Sequence, residues 1–244
     1  MQKLKKTFLI TDERCGGSAF LKIINNNLKS SVALDPQTRT STKFPEYKGL
    51  PLSHDLLEYL YFDKKIDLVK CSYKSYPFDD YVNLIDFCSK KGIKLILLHR
   101  ANLLERALSL LVAKTTKNYG AIDFKQTEAF TLDLENYAEE ISRYKEYYSR
   151  IKTHLDNLNY EYLFLDFDLI FNSSIKIKLW QRILNYIDIE ESEVQEVINN
   201  QSFIDSLSVD YSFDTTNFAT TIINYDELKK LNRTLMLDGI NIIT

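Results

Sequence analysis

The chain has 244 residues, 45% of them hydrophobic and 27% charged, an ordinary balance for one folded domain over residues 1–244. A net charge of −3 argues against a nucleic-acid partner, and no apolar run approaches the roughly 20 residues of a membrane span. Its three cysteines lack metal-ligand spacing, so we expect reduced thiols, a cytoplasmic protein and no metal site.

The apolar pattern predicts strands that alternate with helices. The predicted strands are residues 7–11, 66–72, 94–99 and 160–165. The predicted helices are residues 18–28, 56–62, 79–91, 103–114, 134–158, 174–187, 191–199 and 225–237. We expect a long loop over 30–53, and the stretch 200–222 has no clear period. The fold class is therefore α/β, a three-layer sandwich with a mainly parallel central sheet.

The junction between the first strand and the first helix contains two of the six glycines, Gly16 and Gly17. A strand that turns through glycines into a helix directs several backbone N–H groups at one point, where the helix dipole adds positive charge. Arg14 and Ser18 add donors suited to phosphate or sulfate. A tight turn without a ligand remains the alternative. The Gly-Lys-Ser/Thr ending of an ATP- or GTP-hydrolysing loop is absent.

A second candidate lies where the strand 94–99 ends and the next helix begins. Arg100 follows the strand, at the edge where parallel sheets gather their ligands, and Ser109 interrupts an apolar helical run. An arginine fork and a hydroxyl that meet would bind a monophosphate. Alternatively, Ser109 bonds only to a carbonyl of its own helix.

Together, Arg14-Cys15-Gly16-Gly17-Ser18 and the stretch from Arg100 to Ser109 resemble two motifs of one enzyme superfamily. These are the 5′-phosphosulfate loop and the 3′-phosphate motif of sulfotransferases that use 3′-phosphoadenosine-5′-phosphosulfate (PAPS). The second motif looks most like bacterial carbohydrate sulfotransferases of the nodulation and trehalose-lipid type. Weaker matches in the same order are Leu68-Val69-Lys70, Phe164-Leu165-Asp166-Phe167-Asp168-Leu169 and Ile223-Asn224-Tyr225-Asp226-Glu227-Leu228.

The resemblance implies a sulfotransferase-like domain of the P-loop-NTPase-like kind, which transfers a sulfuryl group from PAPS to a hydroxyl and releases adenosine 3′,5′-bisphosphate (PAP). The acceptor would be a carbohydrate or glycolipid, and no metal would be needed. Arg14 would stabilise the bridging oxygen, and Lys70 would neutralise sulfuryl oxygens. The implied donor-binding residues are Arg14, Cys15, Gly16, Gly17, Ser18, Ala19, Arg100 and Ser109.

The sequence also departs from the family pattern. Cys15 replaces the usual Ser, and Gly17 replaces a Thr or Ser, which removes one hydroxyl from the loop. Cys71 and Ser72 stand where animal cytosolic members have Thr and a catalytic His, so the base must come from elsewhere.

The candidates for the base are Asp35, His54 and Glu46, and Asp35 is favoured by its position after the first helix. Two other functions stay open. One is a degenerate sulfotransferase fold that only binds a nucleotide or a partner. The other is a P-loop-type kinase, which the missing Gly-Lys-Ser/Thr disfavours. The sequence does not indicate an oligomeric state.

Overall fold

The computed structural model describes residues 5–28, 32–34, 53–72, 77–117, 128–207 and 215–237. The chain folds as two compact units. The first comprises Met1–His99 and Arg150–Val209, and the second comprises Arg100–Ser149 and Asp210–Thr244. Both units contain buried apolar side chains. The expectation of a single domain stays a prediction.

The first unit is built on a five-stranded sheet in which every neighbouring pair is parallel. Its strands are β1 (Thr7–Thr11), β2 (Val32–Leu34), β3 (Leu68–Ser72), β4 (Lys94–His99) and β5 (Tyr162–Asp166), in the order β2-β3-β1-β4-β5. Every residue of the central strand β1 and of β3 is buried, as expected when both faces of a parallel sheet are covered.

Helices make up most of the remaining described chain. The α-helices are α1 (Gly17–Leu28), α2 (His54–Glu58), α3 (Phe78–Lys90), α4 (Leu103–Thr116), α5 (Leu134–Asn157), α6 (Phe167–Asn172), α7 (Lys176–Tyr186), α8 (Glu191–Ile198), α9 (Gln201–Leu207), α10 (Thr215–Thr221) and α11 (Tyr225–Leu237). A π-helix, Tyr59–Asp63, directly follows α2. The connection through α1 runs from β1 towards β2, and the connection through α3 runs the opposite way, from β3 to β4. Right-handed crossovers in opposite directions place α1 and α3 on opposite faces, which gives three layers and confirms the predicted fold class.

An aromatic cluster packs α1, α6, α7 and α9 of the first unit together. The Trp180 ring stacks on Phe20 at 5.1 Å and meets the edges of Phe171 at 6.1 Å and Phe203 at 5.8 Å. The indole Nε1 of Trp180 donates a 2.9 Å hydrogen bond to the carbonyl of Ile170. The buried indole is therefore satisfied, and it links α7 to α6.

The second unit contains α4, α10, α11 and the part of α5 that ends at Ser149. An isolated parallel bridge joins Phe130 to Ile222. Next to it, the Asn224 amide accepts from the Leu132 N–H at 3.1 Å and donates to the Leu132 carbonyl at 2.7 Å. This paired contact gives Asn224 a structural role in the segment Ile223–Leu228 that was noted in the sequence.

All four predicted strands are present, with ends that shift by at most two residues. Although the stretch 200–222 has no clear period in the sequence, α9 and α10 lie there. Residues 30–53 also contain β2, a three-residue edge strand too short to show a period. Helix α3 ends just before Gly92, which has a φ of +67° and whose N–H donates to the Ser89 carbonyl.

Candidate functional site

The loop after β1 leaves the sheet where neighbouring connections diverge. β1 continues towards β2 on one side, whereas its neighbour β4 is followed in chain order by β5 on the other side. Ligands of open parallel sheets bind outside the carboxyl ends of strands at such a switch point. The fold therefore places the predicted anion-binding loop at the edge of the sheet where ligands of such folds bind.

The loop backbone has alternating φ signs. Arg14 has a φ of +63° and Gly16 a φ of +79°, whereas the φ angles of Cys15 and Gly17 are not positive. The Cys15 N–H closes the turn on the Asp12 carbonyl at 3.4 Å, and α1 begins at Gly17. An alternation of this kind turns successive N–H groups to one side and forms an anion-binding nest. The first-turn N–H groups of α1, which lack intrahelical acceptors, extend it.

Both loop glycines are required by close contacts within the first unit. A Cβ on Gly16 would lie 2.1 Å from Cδ2 of Phe167, at a φ that L side chains rarely adopt. A Cβ on Gly17 would lie 2.8 Å from Cγ2 of Thr11 and 3.0 Å from Cε of Lys70. Glycine at position 17 therefore has a physical reason, since a side chain there would meet Thr11 and Lys70.

Lys70 is the predicted catalytic residue that the structure brings to the loop. It lies in β3 opposite Leu9 of β1, and only 7% of it is exposed. Because its Cε passes beside Gly17, its ammonium group lies next to the first turn of α1. Two residues on, the Ser72 hydroxyl donates to the buried Asp12 carboxylate at 3.4 Å. Strand β3 thus places the Lys70 cation at the loop, and Ser72 at the end of β3 contacts Asp12, where the loop begins.

The second motif lies in the second unit and is buried. The Arg100 guanidinium forms an ion pair with Glu105, and the Arg100 N–H donates to the Tyr144 hydroxyl at 3.1 Å. Ser109 lies on α4 and is fully buried. The two units carry one motif each, and the expectation that both motifs bind the donor stays a prediction. Three of the four tyrosines of α5 pack in the interior, since Tyr137, Tyr144 and Tyr148 are at most 5% exposed.

The base candidates have less support in the geometry. The His54 ring stacks on Phe87 at 5.0 Å, and its Nε2 lies 2.9 Å from the Asn83 carbonyl oxygen. Phe87 belongs to the last turn of α3, which leads to the amino end of β4, the edge opposite the loop. Asp35 and Glu46 lie outside the described residues. The identity of the base stays a prediction.

A buried pair that the sequence reasoning missed lies at the carboxyl ends of β4 and β5. His99 and Asp166 are register partners, and His99 Nε2 is 3.4 Å from Asp166 Oδ2. Burial lowers the His99 pKa to about 4 against the opposing effect of the Asp166 charge, so the imidazole is neutral at pH 7. Asp166 caps α6 by accepting from the N–H groups of Asp168 and Leu169. An Asp followed by a short apolar helix was the available signal.

A charged cluster marks the second unit. The carboxylate of Glu140, 5% exposed, contacts Arg106 at 3.1 Å, Arg143 at 2.5 Å and Lys114 at 3.6 Å. The guanidinium carbon of Arg106 also lies 3.8 Å from the centre of the Tyr144 ring. A cavity of about 500 Å³ opens beside this cluster. These ion pairs hold α4 against α5.

Metal ligands and membrane-spanning helices are both absent from the described part of the chain. No group of three or more His, Cys, Asp or Glu residues there could hold a metal ion. Among the helices of the described residues, none combines the length and hydropathy needed to cross a membrane.

Comparisons with known proteins find similarity among solved structures. No protein-family profile matches the chain, and no curated protein matches it. Among solved structures, it is similar to mouse sulfotransferase SULT7A1 complexed with PAP, with a TM-score of 0.44 and 12% identity over 94% of this chain and 88% of that one. At this identity and TM-score, the likeness adds no support for a particular ligand or reaction.

Proposed function

We propose that this protein is a sulfotransferase that takes PAPS as donor and a hydroxyl of a carbohydrate or glycolipid as acceptor. The observation that carries the proposal is the nest over Arg14–Gly17 with the Lys70 side chain beside it. A sulfuryl group linked to a phosphate presents several anionic oxygens at one point, and backbone N–H groups with two cations complement them. In this loop the lysine comes from β3, whereas a Walker loop carries its own lysine.

Each loop residue has a distinct task in this proposal. The N–H groups of Gly16, Gly17, Ser18 and Ala19 hold the phosphosulfate, and the exposed Ser18 hydroxyl adds a donor. Cys15 shapes the loop, since its N–H closes the turn on the Asp12 carbonyl. Lys70 neutralises sulfuryl oxygens. Arg14 meets the negative charge that grows on the bridging oxygen as the bond to sulfur breaks, so its effect is largest in the transition state.

The reaction is an in-line displacement at sulfur. The acceptor oxygen bonds to sulfur while the bond from sulfur to the phosphate oxygen breaks, and the bond electrons leave with PAP. A base takes the proton of the acceptor hydroxyl. Asp35 remains the first candidate, since the contacts of His54 hold that ring against α3, towards the edge opposite the loop. No metal takes part in this scheme.

Arg100 and Ser109 are the proposed partners of the donor's 3′-phosphate. Both are buried, so a hydrogen bond from either to a phosphate would be strong. Glu105 accepts from Nη2, on one edge of the Arg100 guanidinium. Because the guanidinium has five N–H donors in a fork, a phosphate can share it with that carboxylate.

The test is transfer of sulfate from PAPS to a panel of mono- and oligosaccharides, followed by mass spectrometry of the products. We expect sulfated product with at least one acceptor, and a loss of about 100-fold or more in turnover for Lys70→Met and Arg14→Ala. Lys22→Met and Arg182→Ala are matched controls on exposed positions of the first unit and should retain activity.

Two results would contradict the proposal. If PAP binds and no acceptor in a broad panel is sulfated, the protein is a binding module with a sulfotransferase-like loop. If ATP binds at least as well as PAP and phosphate is transferred, it is a kinase.

A further inference from the structure

The anion loop is held from behind by the first residue of α6, Phe167, which is only 2% exposed. Its ring lies where a Cβ of Gly16 would be, with Cδ2 and Cε2 at 2.1 and 2.3 Å from that position. Apart from the chain neighbours of Gly16, the three heavy atoms nearest to that position among the described residues all belong to this ring. The ring therefore limits how far the loop can move towards the sheet edge at β5.

The position of Phe167 is set by the preceding residue. Asp166 Oδ1 accepts hydrogen bonds of 2.8 Å from the Asp168 N–H and 3.1 Å from the Leu169 N–H. An N-cap of this kind stabilises its helix, and this contribution matters most in a helix as short as α6. Without the cap, the first turn of α6 would fray, and Phe167 belongs to that turn.

The other Asp166 oxygen is fixed by the neighbouring strand. His99 Nε2 lies 3.4 Å from Oδ2, and the His99 ring stacks on Phe164 at 4.4 Å. A carboxylate that is held on both oxygens has one orientation, so the cap geometry is defined by β4 and β5 together. The ring centres of Phe167 and Phe171 are 4.9 Å apart. Phe171 in turn contacts Trp180, which stacks on Phe20 of α1.

We infer that Asp166 and Phe167 are positioning residues, which hold Gly16 and thereby keep the loop over Arg14–Gly17 in its anion-binding conformation. Only the identity of the anion rests on the proposed function. A helix cap at the end of β5 thus controls the loop at the end of β1. A loop already held in the binding geometry loses less conformational entropy when a ligand binds.

Cys15 reports on the loop directly. It lies between Arg14 and Gly16, and it is fully buried, as is Cys88 in the core. Alkylation by N-ethylmaleimide under native conditions, resolved by peptide mass spectrometry, measures how often each thiol is exposed. Cys88 serves as an internal reference for global unfolding.

We expect Asp166→Ala and Phe167→Ala to raise the alkylation rate of Cys15 about tenfold or more, with little change at Cys88. Asp166→Asn should label within about threefold of the wild type, since Asn caps helices as well as Asp. Ser53→Ala is the matched control, because it removes the α2 cap bond to the Leu56 N–H in the same unit. Ser53→Ala should lower the free energy of unfolding about as much as Asp166→Ala does and leave Cys15 protected from alkylation.

Two results would overturn this role. One is that Asp166→Ala and Phe167→Ala raise the labelling of Cys15 no more than that of Cys88. The other is that Ser53→Ala raises the labelling of Cys15 as much as they do. If Phe167→Ala does not fold, Phe167→Leu keeps an apolar side chain while removing the ring, and the same comparison applies. PAP affinity of Asp166→Ala, measured by calorimetry, should fall about tenfold. Absence of PAP binding by the wild type, together with the expected labelling pattern, would refute the proposed function and leave the positioning role standing.

Discussion

Gly16→Ala tests the packing of the anion loop quantitatively, because the structure offers a second glycine as reference. Gly92 has a similar φ, +67° against +79°, but an added Cβ there would meet nothing within 4 Å. Gly92→Ala should therefore show only the left-handed strain, about 1–2 kcal/mol. At Gly16, the Phe167 ring must also retreat by roughly 1.3 Å to reach ordinary contact, and overpacking of this kind costs about 1–3 kcal/mol more.

The assay is urea unfolding at pH 7 of the wild type, both glycine variants, Phe167→Ala and the double variant Gly16→Ala/Phe167→Ala. We expect Gly16→Ala to lose about 2–5 kcal/mol in the wild-type background. In the Phe167→Ala background it should lose only what Gly92→Ala loses, which gives a coupling of about 1–3 kcal/mol. Equal losses for the two glycine variants, with no coupling to Phe167, would refute the close contact on which this reasoning depends.

Three further predictions concern other parts of the molecule. The pKa of His99 is near 6.5 in the unfolded state and about 4 in the folded state, so the unfolded state binds more protons between these two values. Urea unfolding should therefore show that the free energy of unfolding falls by about 2 kcal/mol from pH 7 to pH 5. This loss should be absent in His99→Gln. Glu140→Gln should lower the unfolding free energy by roughly 3 kcal/mol or more, since it removes the carboxylate shared by three cations, whereas Asp226→Asn in an exposed pair should hardly shift the urea midpoint. Arg14→Lys should keep part of the turnover that Arg14→Ala loses in the sulfate-transfer assay, while equal activities of the two variants would contradict a role for charge at this position.

The sheet could be predicted from the sequence because its strands are continuous apolar runs. The segments Thr7–Thr11 and Lys94–His99 have no competing helical period, and their observed bounds match the expected ones. Two short elements, β2 and α6, could not be predicted, because their three and six residues are too few for a period to show. Strand order also required the structure, since β1 pairs with β3 and β4 and not with its successor β2.

The candidate site was predicted in part for a similar reason. A glycine pair between a strand and a helix indicates a loop with special backbone angles, and the positive φ of Gly16 agrees with that expectation. The contact partners of the loop are distant in sequence, so no local pattern indicates that Phe167 lies against Gly16 or that Lys70 passes Gly17. The ion pair of Arg100 with Glu105 was likewise not foreseen, although both residues belong to the quoted motif.

Calorimetric titration of the purified chain with PAP decides whether the loop and the Arg100 motif bind this nucleotide. We predict binding in the micromolar range, weakened roughly 10- to 150-fold by Arg100→Ala and unchanged by Arg233→Ala, an exposed arginine of the same unit. Adenosine 5′-phosphate, which lacks the 3′-phosphate, should bind at least about tenfold more weakly than PAP. Failure of PAP to bind at millimolar concentration, or equal affinity for PAP and adenosine 5′-phosphate, would contradict the proposed donor site.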